Sequence, residues 1–257
     1  MNRESKMDIA AVDQLPVECI SHIISLTTPR DACISSTKDL YFHLCHNPII
    51  INNGAMSFSL EKESGKKCYM AGARSLCIAW GDTPKYWKWT SLPQSRFLEV
   101  AKLNFVCWLY VKARIETNQS WLRGQGFKPR SRMESPLWPT LYLLWADPVR
   151  TGISLSCAYL VFKFIDTRYG FETRPVDFGV YFDGSDNGER RKVVLDPPAN
   201  MPKLSQDRGN GWMEIEMGEF FNETGEDGTV VCSVFGFDDA KSGIIIQGIE
   251  LRPKSGR

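Results

Sequence analysis

Histidine is scarce: the 257 residues hold three, and all of them lie within the first 46 positions. Proton transfer near neutral pH most often runs through histidine, so the rest of the chain has none to serve a Ser or Cys triad or to ligate a metal. An excess of charge is missing as well, because 31 basic residues face 30 acidic ones. That balance supplies no long-range field for a nucleic-acid backbone or an anionic membrane, and no nucleic-acid partner is expected. Long apolar runs are lacking too. The longest candidate, Leu137 to Trp145, is interrupted by Pro139 and falls short of the roughly 18 residues of a spanning helix, so no membrane insertion is expected.

The eight cysteines, at positions 19, 33, 45, 68, 77, 107, 157 and 232, contain no C-x-x-C pair. Residues 1–13 show no apolar signal core and no small-residue cleavage site, so an intracellular chain with reduced thiols is expected, located in cytoplasm and nucleus. The weak cluster His43, Cys45 and His46 is no metal-ligand pattern. No G-x-G-x-x-G, G-x-S-x-G or G-x-x-x-x-G-K sequence occurs to cradle phosphate or present a nucleophile. Asp and Glu residues are plentiful, but nothing singles out a pair of the kind a glycosidase needs. The expectation is a protein that is not an enzyme, without cofactor or metal.

What is present is a chain that changes character twice. Leu15, Cys19, Ile20, Ile23 and Ile24 fall on one helical stripe, and Thr28-Pro29-Arg30-Asp31 has the form of a second helix start running out by Ser36. From about Cys68 the period becomes two. In Asn104 to Lys112, Phe105, Cys107, Leu109 and Val111 alternate with Val106, Trp108 and Tyr110, as in a strand covered on both faces. Runs at 159–165, 179–182, 192–195, 212–217, 230–237 and 244–251 follow, punctuated by Asp183-Gly184, Asp186-Asn187-Gly188, Glu226-Asp227-Gly228 and Ser242-Gly243. Strands without helical crossovers imply a mainly β fold, an antiparallel sandwich. Residues 118–156, rich in Pro, Trp and Arg, keep neither period and read as an insertion.

The densest local signal is the aromatic run Trp80-Gly-Asp-Thr-Pro-Lys-Tyr86-Trp87-Lys-Trp89. Exposed indoles would offer flat apolar platforms to the C–H faces of sugar rings. Core packing is the competing reading, since tryptophan and tyrosine are highly buried on average.

Together with Ala73 to Ile78, Val106-Cys-Trp108, Ala158 to Lys163, Gly211 to Ile215, Gly218 to Asn222, Gly225 to Gly228 and Ser242 to Pro253, this run resembles the plant phloem protein 2-like family, which includes the tobacco-agglutinin-like (Nictaba-like) lectin domain. The resemblance covers residues 66 to 254 apart from the insertion. Leu15-Pro16 through Pro29 to Cys33 resembles the beginning of the F-box that precedes this domain in the B-type branch. The resemblance implies a jelly-roll-like sandwich that binds N-acetylglucosamine oligomers or N-glycan cores, so that glycans or glycoproteins are the partners. It also implies a Skp-type adaptor, contacted through Leu15, Pro16, Ile20, Ile23, Ile24 and Pro29.

In the family's sugar site, Trp80 and Trp87 match the two tryptophans, while Tyr86 and Trp89 read as structural. The two acidic positions fall at Thr229 and about Gly236, and neither residue can accept a sugar hydroxyl as a carboxylate would. Losing two charge-assisted bonds of roughly 1.5–3 kcal/mol each lowers the expected affinity by one to several orders of magnitude. Against the family's pattern, the F-box is expected to lack its third helix. The organisation expected is a flexible stretch at 1–14, a partial F-box at 15–37, a connecting segment at 38–66 and the lectin-like domain at 67–254, with an atypical insertion at about 118–156 read as translated intron or another gene-model artefact. Alternatives are a substrate receptor of a Skp-cullin-F-box ubiquitin ligase that recognises glycoproteins, and a degenerate paralogue with neither activity.

Overall fold

A computed structural model describes residues 35–62, 65, 67–116, 154–183, 190–222, 229–237 and 240–254. The helices expected over residues 15–34, with the adaptor-facing Leu15, Pro16, Ile20, Ile23, Ile24 and Pro29, lie outside the described residues. So do residues 117–153, nearly all of the insertion.

Residues 38–66, expected only to connect, carry structure of their own. Helix α1 (Ser35–His46) is followed by β1 (Ile49–Ile51) and β2 (Met56–Leu60). At i and i+3 spacing, Tyr41 and Leu44 face a small core made with Ile51, Phe58 and Leu60, and the Tyr41 hydroxyl donates to the Lys62 carbonyl at 2.9 Å. Phe42 points away into solvent.

Beyond it run β3 (Lys67–Gly72), a 3-10 turn (Ala73–Ser75), β4 (Cys77–Ile78), β5 (Trp87–Thr90), β6 (Val100–Leu103) and β7 (Leu109–Glu116). Next come β8 (Ser154–Tyr169), β9 (Val176–Phe182), β10 (Arg191–Val193), β11 (Gln206–Gly209), β12 (Trp212–Asn222), β13 (Thr229–Gly236) and β14 (Ser242–Pro253). Among the described residues they form two antiparallel sheets. One has nine strands in the order β1-β2-β3-β14-β8-β12-β11, with β6 pairing β14 and β5 pairing β6. The other has five, in the order β10-β9-β13-β7-β4.

The core between them follows from alternation. β7 buries Leu109, Val111, Ala113 and Ile115, and β13 buries Val230, Cys232 and Val234, each set on one face of its strand. Opposite them, β14 supplies Ile244 and Ile246, then Ile249 and Leu251. The change from even to odd positions comes at the register shift between Ile246 and Gly248, where one extra residue returns the later side chains to the core face. A mainly β, antiparallel sandwich is the result.

One expected strand is divided. Residues 104–112 do not run as a single strand, because the chain there leaves one sheet for the other: β6 ends at Leu103 and β7 begins at Leu109. Val106 alone bridges, its N–H and C=O paired with Lys241 at 3.0 and 2.8 Å, and Phe105, Cys107 and Trp108 are left exposed around it. Of the cysteines described, Cys68, Cys157 and Cys232 are buried, and burial raises all three thiols, those of Cys68 and Cys232 to about 12, which keeps them protonated and inert. Cys77 and Cys107 are exposed free thiols.

Candidate functional site

The aromatic run begins where β4 hands over to a loop at one end of the sandwich. Trp80 occupies the left-handed region, with φ +56°, a costly conformation for a bulky side chain and one that requires the surroundings to enforce it. The enforcement is visible. The Ala79 N–H donates to the Tyr110 carbonyl at 3.0 Å, the Gly81 N–H to the Ile78 carbonyl at 3.0 Å, and the Thr83 N–H to the Trp80 carbonyl at 2.9 Å. From β5, the indole N–H of Trp87 donates to the Ala79 carbonyl at 3.1 Å and that of Trp89 to the Gly81 carbonyl at 3.0 Å. The two residues flanking Trp80 are thus each fastened by an indole from the next strand.

This arrangement separates the two tryptophans that the sequence pairs. Trp80 is 41% exposed, whereas Trp87 is 2% exposed and belongs to the main core. Trp87 has no free face for a ring to stack on; β5 alternates, and position 87 falls on its core side. Its part is to hold the loop. Trp89 is half-buried under the Arg74 guanidinium, which lies 3.8 Å from the ring centroid.

The partners of Trp80 come from elsewhere. Trp108, itself 39% exposed, meets it edge-on with ring centroids 4.6 Å apart, and Tyr86 lies tilted against it at 5.2 Å. The two loops are tied together at the Tyr86 carbonyl, which accepts from the Asn104 N–H at 2.8 Å, and by the Asn104 side-chain amide, which donates to the Pro84 carbonyl at 3.0 Å. Asp82 and Lys85 are exposed on the same loop, with the Lys85 ammonium 5.6 Å from the Tyr86 ring centroid. Edge-to-face contacts hold the rings at fixed angles, so the cluster presents a preformed apolar corner rimmed by charged and hydroxyl groups. Sequence reasoning reads Trp108 as one face of a strand and misses it; only the break at Leu103 turns it outward.

The acidic positions fare differently from each other. Thr229 begins β13 and Gly236 ends it, so they stand seven residues, about 23 Å, apart along an extended strand. One sugar residue cannot touch both. At Gly236 a Cβ would come within 2.7 Å of Lys241 Cε, so the stem of this buried lysine occupies the place of any larger side chain. The Lys241 ammonium in turn donates to the Gly170 carbonyl at 3.2 Å. No group of three His, Cys, Asp or Glu side chains among the described residues could hold a metal ion.

A second polar cluster lies on the outer face of the nine-stranded sheet, where Glu214 and Glu250 are buried. Arg208 pairs with both, Arg252 pairs with Glu214, and Arg96 reaches Glu250 at 3.4 Å. Burial alone would raise the Glu250 carboxyl, but Arg208, Arg96 and Arg252 outweigh it and hold it below the usual carboxylate range. Every charge here has an ion-pair partner, although Glu214 Oε2 makes no hydrogen bond among the described residues, and Arg252 also stacks 3.7 Å over Tyr159.

Comparison with known proteins gives three findings. Residues 66–125 and 156–253 match the phloem protein 2 domain family, with 126–155 outside the match. Among curated relatives, F-box protein PP2-B10 of Arabidopsis thaliana is 34% identical across 98% of this chain and 97% of its own length. F-box protein At2g02240, from the same organism, is 36% identical across 94% of this chain and 80% of its own. Among solved structures, a family 35 carbohydrate-binding module from Clostridium thermocellum has a TM-score of 0.37 at 7% identity, covering 72% of this chain and 96% of its own. A mannanase from Podospora anserina has a TM-score of 0.39 at 9% identity, covering 74% of this chain and 28% of its own.

Proposed function

Because the chain belongs to the phloem protein 2-like family, in its B-type branch of F-box proteins, we propose that it is a non-enzymatic lectin-like protein that binds N-acetylglucosamine oligomers or N-glycan cores at Trp80. The observation that carries this reading is the exposed indole held in a left-handed backbone and fastened on both sides by buried or half-buried indoles. Strain of about 1–3 kcal/mol at a bulky residue persists only where the surroundings over-determine it, and such residues gather at binding sites. Trp80 would stack on the C–H face of one pyranose ring, Trp108 would set the ring's angle, and Tyr86 would support Trp80 from the other side. Trp87 acts through the loop, as a positioning residue. With no carboxylate at Thr229 or Gly236, the affinity rests on stacking and on hydroxyl bonds from the rim, so a weak interaction follows.

Retention of the full chain on chitin oligomers tests this. Wild type is retained and Trp80→Ala is not, while Trp108→Ala elutes early. No retention by folded wild type removes the reading.

A second reading rests on the relatives, whose names are those of F-box proteins and whose likeness runs over nearly the whole chain. In it, the segment with Leu15, Pro16, Ile20, Ile23, Ile24 and Pro29 recruits a Skp-type adaptor, and the sugar site selects glycoproteins for a ubiquitin ligase in cytoplasm or nucleus. Co-purification of adaptor with the full chain, lost on Ile20→Asp/Ile24→Asp, supports it, and no co-purification removes it.

A further inference from the structure

The outer face of the five-stranded sheet carries a trough that the sugar site does not use. Strand pairing sets its rows. Phe235 on β13 lies between Tyr110 on β7 and Asp177 on β9. Two residues along, Ser233 lies between Lys112 and Gly179, and two further Val231 lies between Arg114 and Tyr181. The middle row is therefore small at its centre, with rings rising from the rows on either side, about 13 Å apart along the strands. Ser233, 4% exposed, is the floor. A Cβ on Gly179 would lie 2.8 Å from Ser233 Oγ, so glycine keeps the floor open.

Charge marks the trough as well. Lys112 and Arg190 both line it, the Arg190 guanidinium 5.0 Å from the Phe235 ring centroid. Their neighbour Arg114 is paired with Asp183, yet no carboxylate among the described residues pairs with Lys112 or Arg190. The two cations outnumber Asp177, the one carboxylate in these rows, and repel each other, so the excess positive charge favours an anion between them. Beside Phe235 in its row, Asp177 Oδ1 is buried and meets no donor among the described residues, so it could accept a bond from a hydroxyl.

We infer that this trough is a second ligand site, taking a sugar residue that carries a carboxylate or sulfate group. The rings of Tyr110, Phe235 and Tyr181 would wall the pyranose, Lys112 and Arg190 would pair with its anionic group, and Ser233, whose hydroxyl donates to the Gly179 carbonyl at 3.4 Å, would accept from a ring hydroxyl. A bare anion would leave the rings unused, and a neutral sugar would leave the cations unused. Trp80 is not among the residues that line the trough.

The test is a backbone-amide NMR titration of the full chain with methyl glucuronide, glucose 6-sulfate, methyl glucoside and inorganic sulfate. The two acidic sugars shift the Gly179 and Ser233 amides saturably, at least tenfold more tightly than methyl glucoside or sulfate. Lys112→Gln/Arg190→Gln weakens them at least tenfold with an unchanged spectrum elsewhere, and the single Lys112→Gln falls between. Trp80→Ala leaves acidic-sugar binding intact, so that failure on chitin and failure here are told apart. Equal binding of methyl glucoside, equal binding of sulfate alone, or full binding by the double variant each overturns the inference.

Discussion

The two outer faces of the sandwich treat charge in opposite ways. On the nine-stranded sheet, Glu214 and Glu250 are met by Arg96, Arg208 and Arg252, and the stretch from Ser91 to Glu99 crosses over them. The Trp212 indole donates to the Gln94 carbonyl and Gln247 to Ser95, fixing that stretch in place. On the five-stranded sheet, Lys112 and Arg190 line a trough in which no carboxylate among the described residues is paired with either of them. The same contrast divides the aromatic run, where Trp87 is consumed by the core and Trp80 is held out of it. Groups whose bonding is complete build the structure, and groups held in place with bonding capacity to spare are where a ligand is gained.

Breaking the completed side should cost most. Trp87→Ala removes a buried indole and its bond to the Ala79 carbonyl, and it should lower unfolding free energy by about 3–5 kcal/mol in a denaturant titration. A loss below 1 kcal/mol would show that the loop does not depend on it. Glu250→Gln leaves three arginines facing a neutral amide and should cost about 3 kcal/mol at pH 7. Its pH dependence has a definite sign. The Glu250 carboxyl is depressed in the folded protein, so its contribution is fully present above the ordinary carboxylate value of about 4.3 and is lost as pH falls below it. Wild type and Glu250→Gln should therefore converge in thermal midpoint as pH falls below about 4.3, and a gap that stays constant would place the effect in packing.

The open side should be cheap to alter. Trp80→Gly relieves the left-handed backbone and loses exposed ring contacts, leaving stability within about 1 kcal/mol of wild type. Lys112→Gln/Arg190→Gln should move it by about 0.5 kcal/mol or less. A loss of several kcal/mol in either would mean that these groups are structural after all.

Much of the sandwich is legible in the sequence because alternation in β7 maps directly onto burial. What escapes is what alternation cannot encode. The register shift at Ile246 changes which parity faces the core, and the crossing at residues 104–108 ends one strand and starts another within a continuous apolar stretch. Helix α1 escapes because Ser35-Ser-Thr at its start looks like a helix ending, and only Tyr41 and Leu44 packing on β2 makes it pay. For the site, the sequence brings Trp80 and Trp87 forward together. Their separation depends on the Ile78 to Thr83 turn and on the side of β5 that meets the core, neither of which is a property of residue type. Trp108 and the trough are assembled across strands distant in sequence, so no local motif announces them.

The central claim is that Trp80 is kept exposed for a ligand and not for the fold. A calorimetric titration of the full chain with the N-acetylglucosamine trimer, run on wild type and Trp80→Gly alongside their denaturant midpoints, tests it most directly. The account predicts saturable binding by wild type and none by Trp80→Gly at matched stability. Binding of equal strength by both proteins, or by neither, would contradict it.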